Sequence, residues 1–190
     1  VPKSIDIHPN NHLIMIDISS TFPPLPFNSD RIIRIIDAAL KASNPEDGIG
    51  RHVIRIGNIL EAGGKKYNFD YYDRVILIGA GKAAFPMAKQ TVAIVNNAIT
   101  GGAIVVKHLP AGIPAGLDRG IEVLKGDHPV PGSGSLVSTR SIIQHIEKAG
   151  EKDLVVFLLS GGASSLFTQP REGISLADLQ KLTGLLLSSG

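Results

Sequence analysis

The sequence has no cysteine, few aromatic residues and little net charge. Without cysteine there is no disulfide, no thiolate metal site and no cysteine nucleophile. Aromatic residues make up 5% of the 190 residues and the formal net charge is +2, which argues against a nucleic-acid partner. No apolar stretch approaches the roughly 20 residues of a membrane span, and the first residues lack a signal-peptide pattern. We therefore expect a globular protein without a membrane partner, cytoplasmic by default rather than by positive evidence.

The first third of the chain is predicted to hold an arm and two helices. Residues 1–28 are typical of an arm, with a candidate short strand at residues 13–16 and a proline-rich connector at residues 22–26. A first helix is predicted from Asn28 or Ser29. Asn44 and Pro45 predict the start of a second. Apolar residues at helical spacing extend this second helix to the glycine pair 63–64; they are Ile49, Val53, Ile56 and Leu60.

From residue 72 onward, short apolar runs alternate with helical patterns. The runs 75–78 and 154–159 are typical of strands covered on both faces, and 103–106 and 121–124 predict two further strands. Helices are predicted over about 82–97, about 135–149 and from Ser175, which forms a capping-box pattern with Asp178. The alternation predicts an α/β fold: a doubly wound, mostly parallel, Rossmann-like sheet with helices on both faces. Because the sequence stops directly after a helix, we expect residues 29–190 to form an incomplete Rossmann-like phosphate-binding domain.

Ligands of open α/β sheets bind beyond the carboxyl ends of the strands, where three motifs of this sequence are expected. The first contains Gly79, Gly81 and Lys82 and fits G-x-G-x-x-A, in which phosphate can sit on the free N–H groups of the next helix. A dinucleotide site would have an acidic residue on the second strand, which here ends in Lys107. Lys82 inside the turn can neutralise charge on a phosphate undergoing transfer. The alternative is a plain strand-to-helix turn.

The second motif, residues 126–132, contains two prolines that hold Asp127 and His128 in a fixed orientation. Asp127 is a candidate ligand for Mg²⁺ or for a substrate hydroxyl, and His128 is a candidate base or anion donor. The alternative is a rigid turn in which both side chains only cap the backbone.

The third motif follows a fully apolar strand and supplies N–H and hydroxyl donors suited to phosphate or carboxylate. Its candidate ligand-binding residues are Ser160, Gly161, Gly162, Ser164 and Ser165. It does not match the G-x-S-x-G motif of a nucleophile elbow, and the alternative is a serine-rich capping loop. Pro9 disfavours a helical metal site made by His8 and His12, so no metal ligand is assigned.

Residues 77–83, 126–131 and 159–166 together resemble the class II glycerate 2-kinases, and the likeness runs from about residue 31 to the end. It implies transfer of the γ-phosphoryl group of ATP, with Mg²⁺, to the 2-hydroxyl of D-glycerate in a cleft between a large Rossmann-like domain and a smaller second domain. Lys82 matches the active-site lysine of that family. The serine-glycine motif matches its phosphate- and substrate-binding loop, and Asp127 and His128 match a motif lining the cleft.

The resemblance also places the second domain and further catalytic residues outside this chain, so we expect these 190 residues alone to be inactive. A homodimer is compatible with the resemblance. Two other functions stay open. One is an NAD(P)-dependent hydroxypyruvate reductase, for which Lys107 would tolerate a 2′-phosphate. The other is a non-catalytic sugar-phosphate-binding module.

Overall fold

The computed structural model describes residues 29–114, 116–118 and 120–189, so the predicted arm with its strand and connector lies outside the described residues. The chain divides into two compact units, Val1–Ser43 and Asn44–Gly190. In the first unit, the predicted helix is confirmed as α1 (Ser29–Ala42). An exposed ion pair between Lys41 and Asp37, 2.9 Å apart, joins successive turns of α1.

The second predicted helix begins as expected but is much shorter. Helix α2 (Pro45–His52) is capped by the Asn44 side chain, which accepts a hydrogen bond from the Glu46 amide at 2.9 Å. The prediction that it continues to residue 62 is wrong, because the following residues form a three-stranded antiparallel sheet. Its strands are β1 (Val53–Ile56), β2 (Ile59–Ala62) and β3 (Lys65–Asn68).

Glycine turns explain this hairpin arrangement. Gly57 between β1 and β2, and Gly63 and Gly64 between β2 and β3, all have positive φ angles. Two-residue turns with positive φ match the twist of antiparallel strands and close tight hairpins. Residues of β1 are alternately half-buried and exposed, the period of a strand. The apolar residues at helical spacing were therefore also compatible with two short strands.

The main sheet contains four parallel strands in the spatial order β6, β5, β4, β7. They are β4 (Arg74–Ala80), β5 (Ile99–Val106), β6 (Ile121–Lys125) and β7 (Asp153–Leu159). The helices are α3 (Ala84–Val95), α4 (Ser133–Glu147), α5 (Ala163–Leu166) and α6 (Leu176–Ser188). All four predicted strands and the three predicted helices are confirmed, including the capping box at Ser175. The four-residue helix α5 was not predicted.

Two hydrophobic layers cover opposite faces of this sheet. Leu77 of β4 belongs to the layer that contains Val95 of α3, and Ile78 belongs to the layer that contains Ile142 of α4 and Leu166 of α5. All five side chains are fully buried. Successive strand residues point to opposite faces, so each layer receives every second residue of β4. The doubly wound arrangement, with helices on both faces, is confirmed.

The strand order determines where the loops meet. The chain adds β5 and β6 on one side of β4, crosses back through α4, and then places β7 on the other side. Ala80 at the end of β4 is paired with Leu159 at the end of β7. The loops after these two strands therefore lie side by side at the switch point of the sheet, where ligands of such folds bind.

The opposite ends of β4 and β7 are joined by an ion pair. Arg74 and Asp153 are register partners, with Nε 3.0 Å from Oδ1 and Nη2 2.6 Å from Oδ2. On β7, by contrast, Val155, Phe157 and Leu159 are exposed. Within the described ranges, every helix is too short or too polar to cross a membrane.

Candidate functional site

Three hydrogen bonds join the loop after β4 to the loop after β7. The amide of Ser160 donates to the carbonyl of Ala80 at 3.0 Å, and the amide of Lys82 donates to the carbonyl of Gly161 at 2.9 Å. The hydroxyl of Ser160 accepts a hydrogen bond from the amide of Ala83 at 3.0 Å. The first and third predicted motifs are thus parts of one rigid arrangement, although they are far apart in the sequence.

The two glycines of the first motif have different roles. Gly79 lies inside β4, where a Cβ atom would come within 2.8 Å of Ile104 Cγ2. The absence of a side chain at Gly79 therefore permits close packing of β4 and β5. Gly81 has a φ of +127°, and a Cβ atom there would lie 2.6 Å from the carbonyl oxygen of Ser160. Only glycine fits both that backbone conformation and that contact. Gly81 therefore allows the two loops to approach each other.

The free backbone donors lie in the third motif rather than the first. The amides of Gly81, Lys82, Ala83 and Ala84 all donate hydrogen bonds to other groups of the protein. Of the amides at the start of α3, only that of Phe85 has no acceptor among the described residues, so the predicted mode of binding would have to use this amide alone. In contrast, the amides of residues 161–164 have no acceptor in the described part of the chain. An anion at the switch point would meet these four N–H groups.

Asp127 is tied to the first turn of α4. The Ser135 amide donates to Asp127 Oδ2 at 3.2 Å, and the Asp127 amide donates to the Ser135 hydroxyl at 2.8 Å. Cβ atoms at Gly132 and Gly134 would lie 2.5 and 2.9 Å from the same carboxylate oxygen, so these glycines make room for it. The geometry favours the capping alternative for Asp127 over a ligand facing the cleft.

His128 belongs to the same arrangement as the first and third motifs. A Cβ atom on Gly162 would lie 2.8 Å from both His128 Cδ2 and Nε2, and 3.2 Å from Lys82 Cγ. Gly162, with a φ of +85°, is therefore where the imidazole and the lysine stem meet the loop. The next residue, Pro129, follows a cis peptide bond and its carbonyl accepts a hydrogen bond from Ser165 Oγ at 2.6 Å. The second motif is thereby fastened to the third.

The imidazole of His128 is held in its neutral form. Burial lowers its pKa, and the ammonium groups of Lys82 and Lys107 lower it further. Because an unperturbed histidine has a pKa near 6.5, His128 is neutral at pH 7. Its Nδ1 atom is buried and has no hydrogen-bond partner among the described residues.

Lys107, which the sequence analysis considered only in relation to a dinucleotide, lies at the same edge of the sheet as Lys82. It directly follows β5, is half-buried, and shares with Lys82 the absence of any acidic partner in the described part of the chain. The sequence signal that could have identified Lys107 is its position directly after an apolar strand, which lies next to the strand that precedes Lys82. The site therefore contains two uncompensated cations and one neutral imidazole.

A cavity of about 420 Å³ opens beside the third motif. It is lined by Leu159, Ser160, Gly162, Ala163, Ser164 and Phe167. Its size lies within the range of pockets that hold small molecules. The Ser164 side chain is exposed and makes no hydrogen bond to the residues described, so its hydroxyl is available to a ligand.

The structure thus gathers most of the predicted site residues but not all. Those brought together are Gly81, Lys82, His128, Ser160, Gly161, Gly162 and Ser165, with Ser164 in the cavity wall. Gly79 has a packing role, and Asp127 caps α4. His8 and His12 lie outside the described residues. In the part of the chain that the structure describes, no three histidine, aspartate or glutamate side chains form a group that could hold a metal ion.

Comparison with known proteins identifies related sequences and folds. Residues 31–190 match a family model described as a domain of unknown function, DUF4147. The D-glycerate 2-kinase of Thermotoga maritima is 43% identical over 118 residues, which are 62% of this chain and 28% of that protein. The glycerate 2-kinase of Pyrococcus horikoshii is 35% identical over 158 residues, which are 83% of this chain and 34% of that protein. The chain spans about a third of the length of these curated relatives.

A solved structure and a further relative complete the comparison. The crystal structure of a Pyrococcus horikoshii protein has a TM-score of 0.70 and 31% identity, covering 87% of this chain and 36% of that one. An Agrobacterium vitis protein, whose name assigns it provisionally to the hydroxypyruvate reductases, is 32% identical over 157 residues. Those residues are 83% of this chain and 32% of that protein.

Proposed function

The chain belongs to the DUF4147 family, and from this premise we propose that it forms part of a kinase that phosphorylates the 2-hydroxyl of D-glycerate with ATP. One observation carries the proposal: the unpaired Lys82 lies against the loop 160–164, whose amides 161–164 have no acceptor among the described residues. A cation and a set of backbone donors at the switch point form a site for phosphate. The glycerate 2-kinase names of two relatives support the choice of acceptor.

In this proposal Lys82 and the third motif share the negative charge of the transferring phosphoryl group. Phosphoryl transfer needs positioning and electrostatic stabilisation rather than covalent chemistry from the protein. The Lys82 ammonium would lie against the equatorial oxygens, where charge is greatest. The amides of residues 161–164 and the Ser164 hydroxyl would orient either the phosphate or the glycerate carboxylate. Neutral His128 would form a hydrogen bond with the ligand and would not add a third positive charge.

Magnesium was expected with ATP, and the described residues contain no group of three histidine, aspartate or glutamate side chains that could hold it without substrate phosphates. Magnesium in kinases is usually bound by one or two carboxylates together with substrate phosphates. At the strand ends the candidate carboxylate is Asp127, whose Oδ2 accepts the Ser135 amide and whose Oδ1 has no hydrogen bond among the described residues. Asp127 would therefore supply at most one carboxylate oxygen to an ion held mainly by the phosphates, and the roles above do not depend on it.

A reductase is the second candidate function, because one relative is provisionally named a hydroxypyruvate reductase and the first motif fits G-x-G-x-x-A. One feature of the site favours the kinase. A dinucleotide pyrophosphate would need free amides at the start of α3, and the amides of residues 81–84 are already bonded. Lys107 after β5 disfavours only NAD, whose ribose an acidic residue would hold, and it would tolerate the 2′-phosphate of NADP.

The decisive experiment is an assay of the natural protein with ATP and D-glycerate, in which ³¹P NMR identifies 2-phosphoglycerate. Lys82→Met should lower kcat by about 10²-fold or more, as expected for loss of a group that stabilises transition-state charge. Lys125→Met is the matched control, since Lys125 is exposed at the end of β6 and should leave the rate unchanged. Absence of 2-phosphoglycerate would overturn the kinase, and a rate for Lys82→Met within about threefold of the wild type, a change of under about 1 kcal/mol, would overturn the role given to Lys82. Oxidation of NADPH by hydroxypyruvate would favour the reductase instead.

A further inference from the structure

We propose that Lys107 is a second phosphate-binding residue of this site and that, with Lys82, it selects a ligand carrying at least two adjacent phosphates. The inference rests on the proposed function and refines it, because it assigns the polyphosphate chain of the nucleotide to the space between the ends of β4 and β5.

The backbone places Lys107 beside Lys82. Strands β4 and β5 are parallel neighbours in which Ala80 is paired with Val105, so each lysine is the second residue after this pair. The amide of Gly81 donates to the carbonyl of Val105 at 3.4 Å, a contact that holds the start of the first loop against the end of β5. The two lysines therefore leave the same edge of the sheet from adjacent strands.

On its other side, Lys107 is held close to the loop that carries His128. The amide of Gly126 donates to the carbonyl of Val106 at 2.9 Å. A Cβ atom on Gly126 would lie 2.9 Å from Val105 Cγ2 and from the carbonyl oxygen of Leu166, so the loop packs tightly at this point. Lys107 thus lies between the first and second motifs, and its position is set by backbone contacts on both sides.

The charge of Lys107 is left without a counter-ion by the described residues. Lys107 is half-buried and Lys82 is exposed, and neither has an acidic partner within the described residues. Both lysines lower the pKa of His128, which places both of them within electrostatic range of one ring. An anion bound between the two lysines would be attracted by both charges.

The number of charges indicates the class of ligand. A single carboxylate such as that of glycerate neutralises one lysine, whereas a di- or triphosphate can neutralise both. Lysine acts on phosphate as a compact point charge and does not need the planar geometry of an arginine contact. Two lysines on adjacent strands are therefore suited to successive phosphates of one chain.

Calorimetric titration with inorganic tripolyphosphate tests this inference, because the probe carries the charges without nucleoside or glycerate. Lys107→Met should raise the Kd by about tenfold, whereas Lys107→Arg, which retains the charge, and the control Lys125→Met should change it by less than about threefold. Lys107→Gln serves as a second neutral variant. If both neutral variants bind tripolyphosphate as tightly as Lys125→Met does, the inference is overturned.

A second readout separates electrostatic contact from a merely structural role. NMR titration of the His128 ring should show a higher pKa in Lys107→Met than in Lys107→Arg, since only the first removes the charge that disfavours protonation. An unchanged pKa would overturn the inference. If Lys107 governs tripolyphosphate binding but ATP and D-glycerate give no product, the proposed kinase fails and the inference stands. If product forms and Lys107→Met binds tripolyphosphate normally, the inference fails and the kinase stands.

Discussion

Replacing Gly162 by alanine tests the central contact of the site. The added methyl group would lie 2.8 Å from two ring atoms of His128 and 3.2 Å from the Lys82 stem, and the residue would also need to keep a φ of +85°. A left-handed conformation costs a residue with a Cβ atom about 1–2 kcal/mol. Insertion of a methyl group into a packed contact costs about 1–3 kcal/mol. We therefore expect Gly162→Ala to lower the free energy of unfolding by about 2–5 kcal/mol.

Gly173 provides a matched control for the backbone part of this cost. Its φ is +83°, and a Cβ atom there would meet nothing within 4 Å. Gly173→Ala should therefore lose only the conformational share, about 1–2 kcal/mol. Urea unfolding of both variants, extrapolated to water, gives the difference that belongs to the contact with His128 and Lys82.

The same variant should impair the chemistry. Because the methyl group displaces His128 and Lys82 relative to the third motif, turnover should fall by up to about 10²-fold, as a misplacement of 1 Å can cause. Gly173→Ala should leave turnover unchanged. Equal destabilisation of the two variants, within about 0.5 kcal/mol, would refute the claim that these side chains meet at Gly162.

Two further predictions concern stability. The hydrogen bond from Arg74 lowers the pKa of Asp153, so its stabilising effect is complete above the ordinary pKa of about 3.9 and is lost as the pH falls through the lower folded value. Asp153→Asn should therefore flatten the acid limb of the unfolding free energy measured against pH, and an unchanged slope would contradict this. Ser160→Ala removes the acceptor of the Ala83 amide and should cost about 1 kcal/mol in urea unfolding. Ser164→Ala should cost under about 0.5 kcal/mol but weaken tripolyphosphate binding, and equal costs for the two serines would contradict the assignment.

The parallel sheet could be predicted because its strands carry a local signal. Residues 75–78 and 154–159 are apolar throughout, as required of strands packed between two helical layers. The hairpins of residues 53–68 could not be predicted in the same way, because their apolar residues also fit a helical period. The turn at Gly57 decides between the two, and its effect depends on pairing with a partner strand rather than on its own neighbours.

The site was predictable as motifs but not as a set of contacts. The motifs around Lys82, His128 and Ser160 were each found from residue type and from their expected place after a strand. The hydrogen bonds between the motifs could not be predicted in this way. The Ser160 hydroxyl accepts the Ala83 amide only because β7 lies next to β4 in the sheet. Lys107 was noted only as a residue that would tolerate the 2′-phosphate of NADP, and it was not grouped with Lys82 because it belongs to no motif. Its significance comes from the strand order, which places it between Lys82 and His128.

The place of β7 in the sheet has a consequence for the order in which the site is built. Ser160 and Ala83, whose hydrogen bond closes the site, are 77 residues apart in the chain. Contacts of such long sequence separation form slowly, because the loop between them must first be closed. Any folding intermediate in which β7 has not yet joined β4 therefore lacks the site altogether. Conversely, a bound phosphate ligand would stabilise that last pairing, and hydrogen exchange of the β7 amides would slow as the ligand is added.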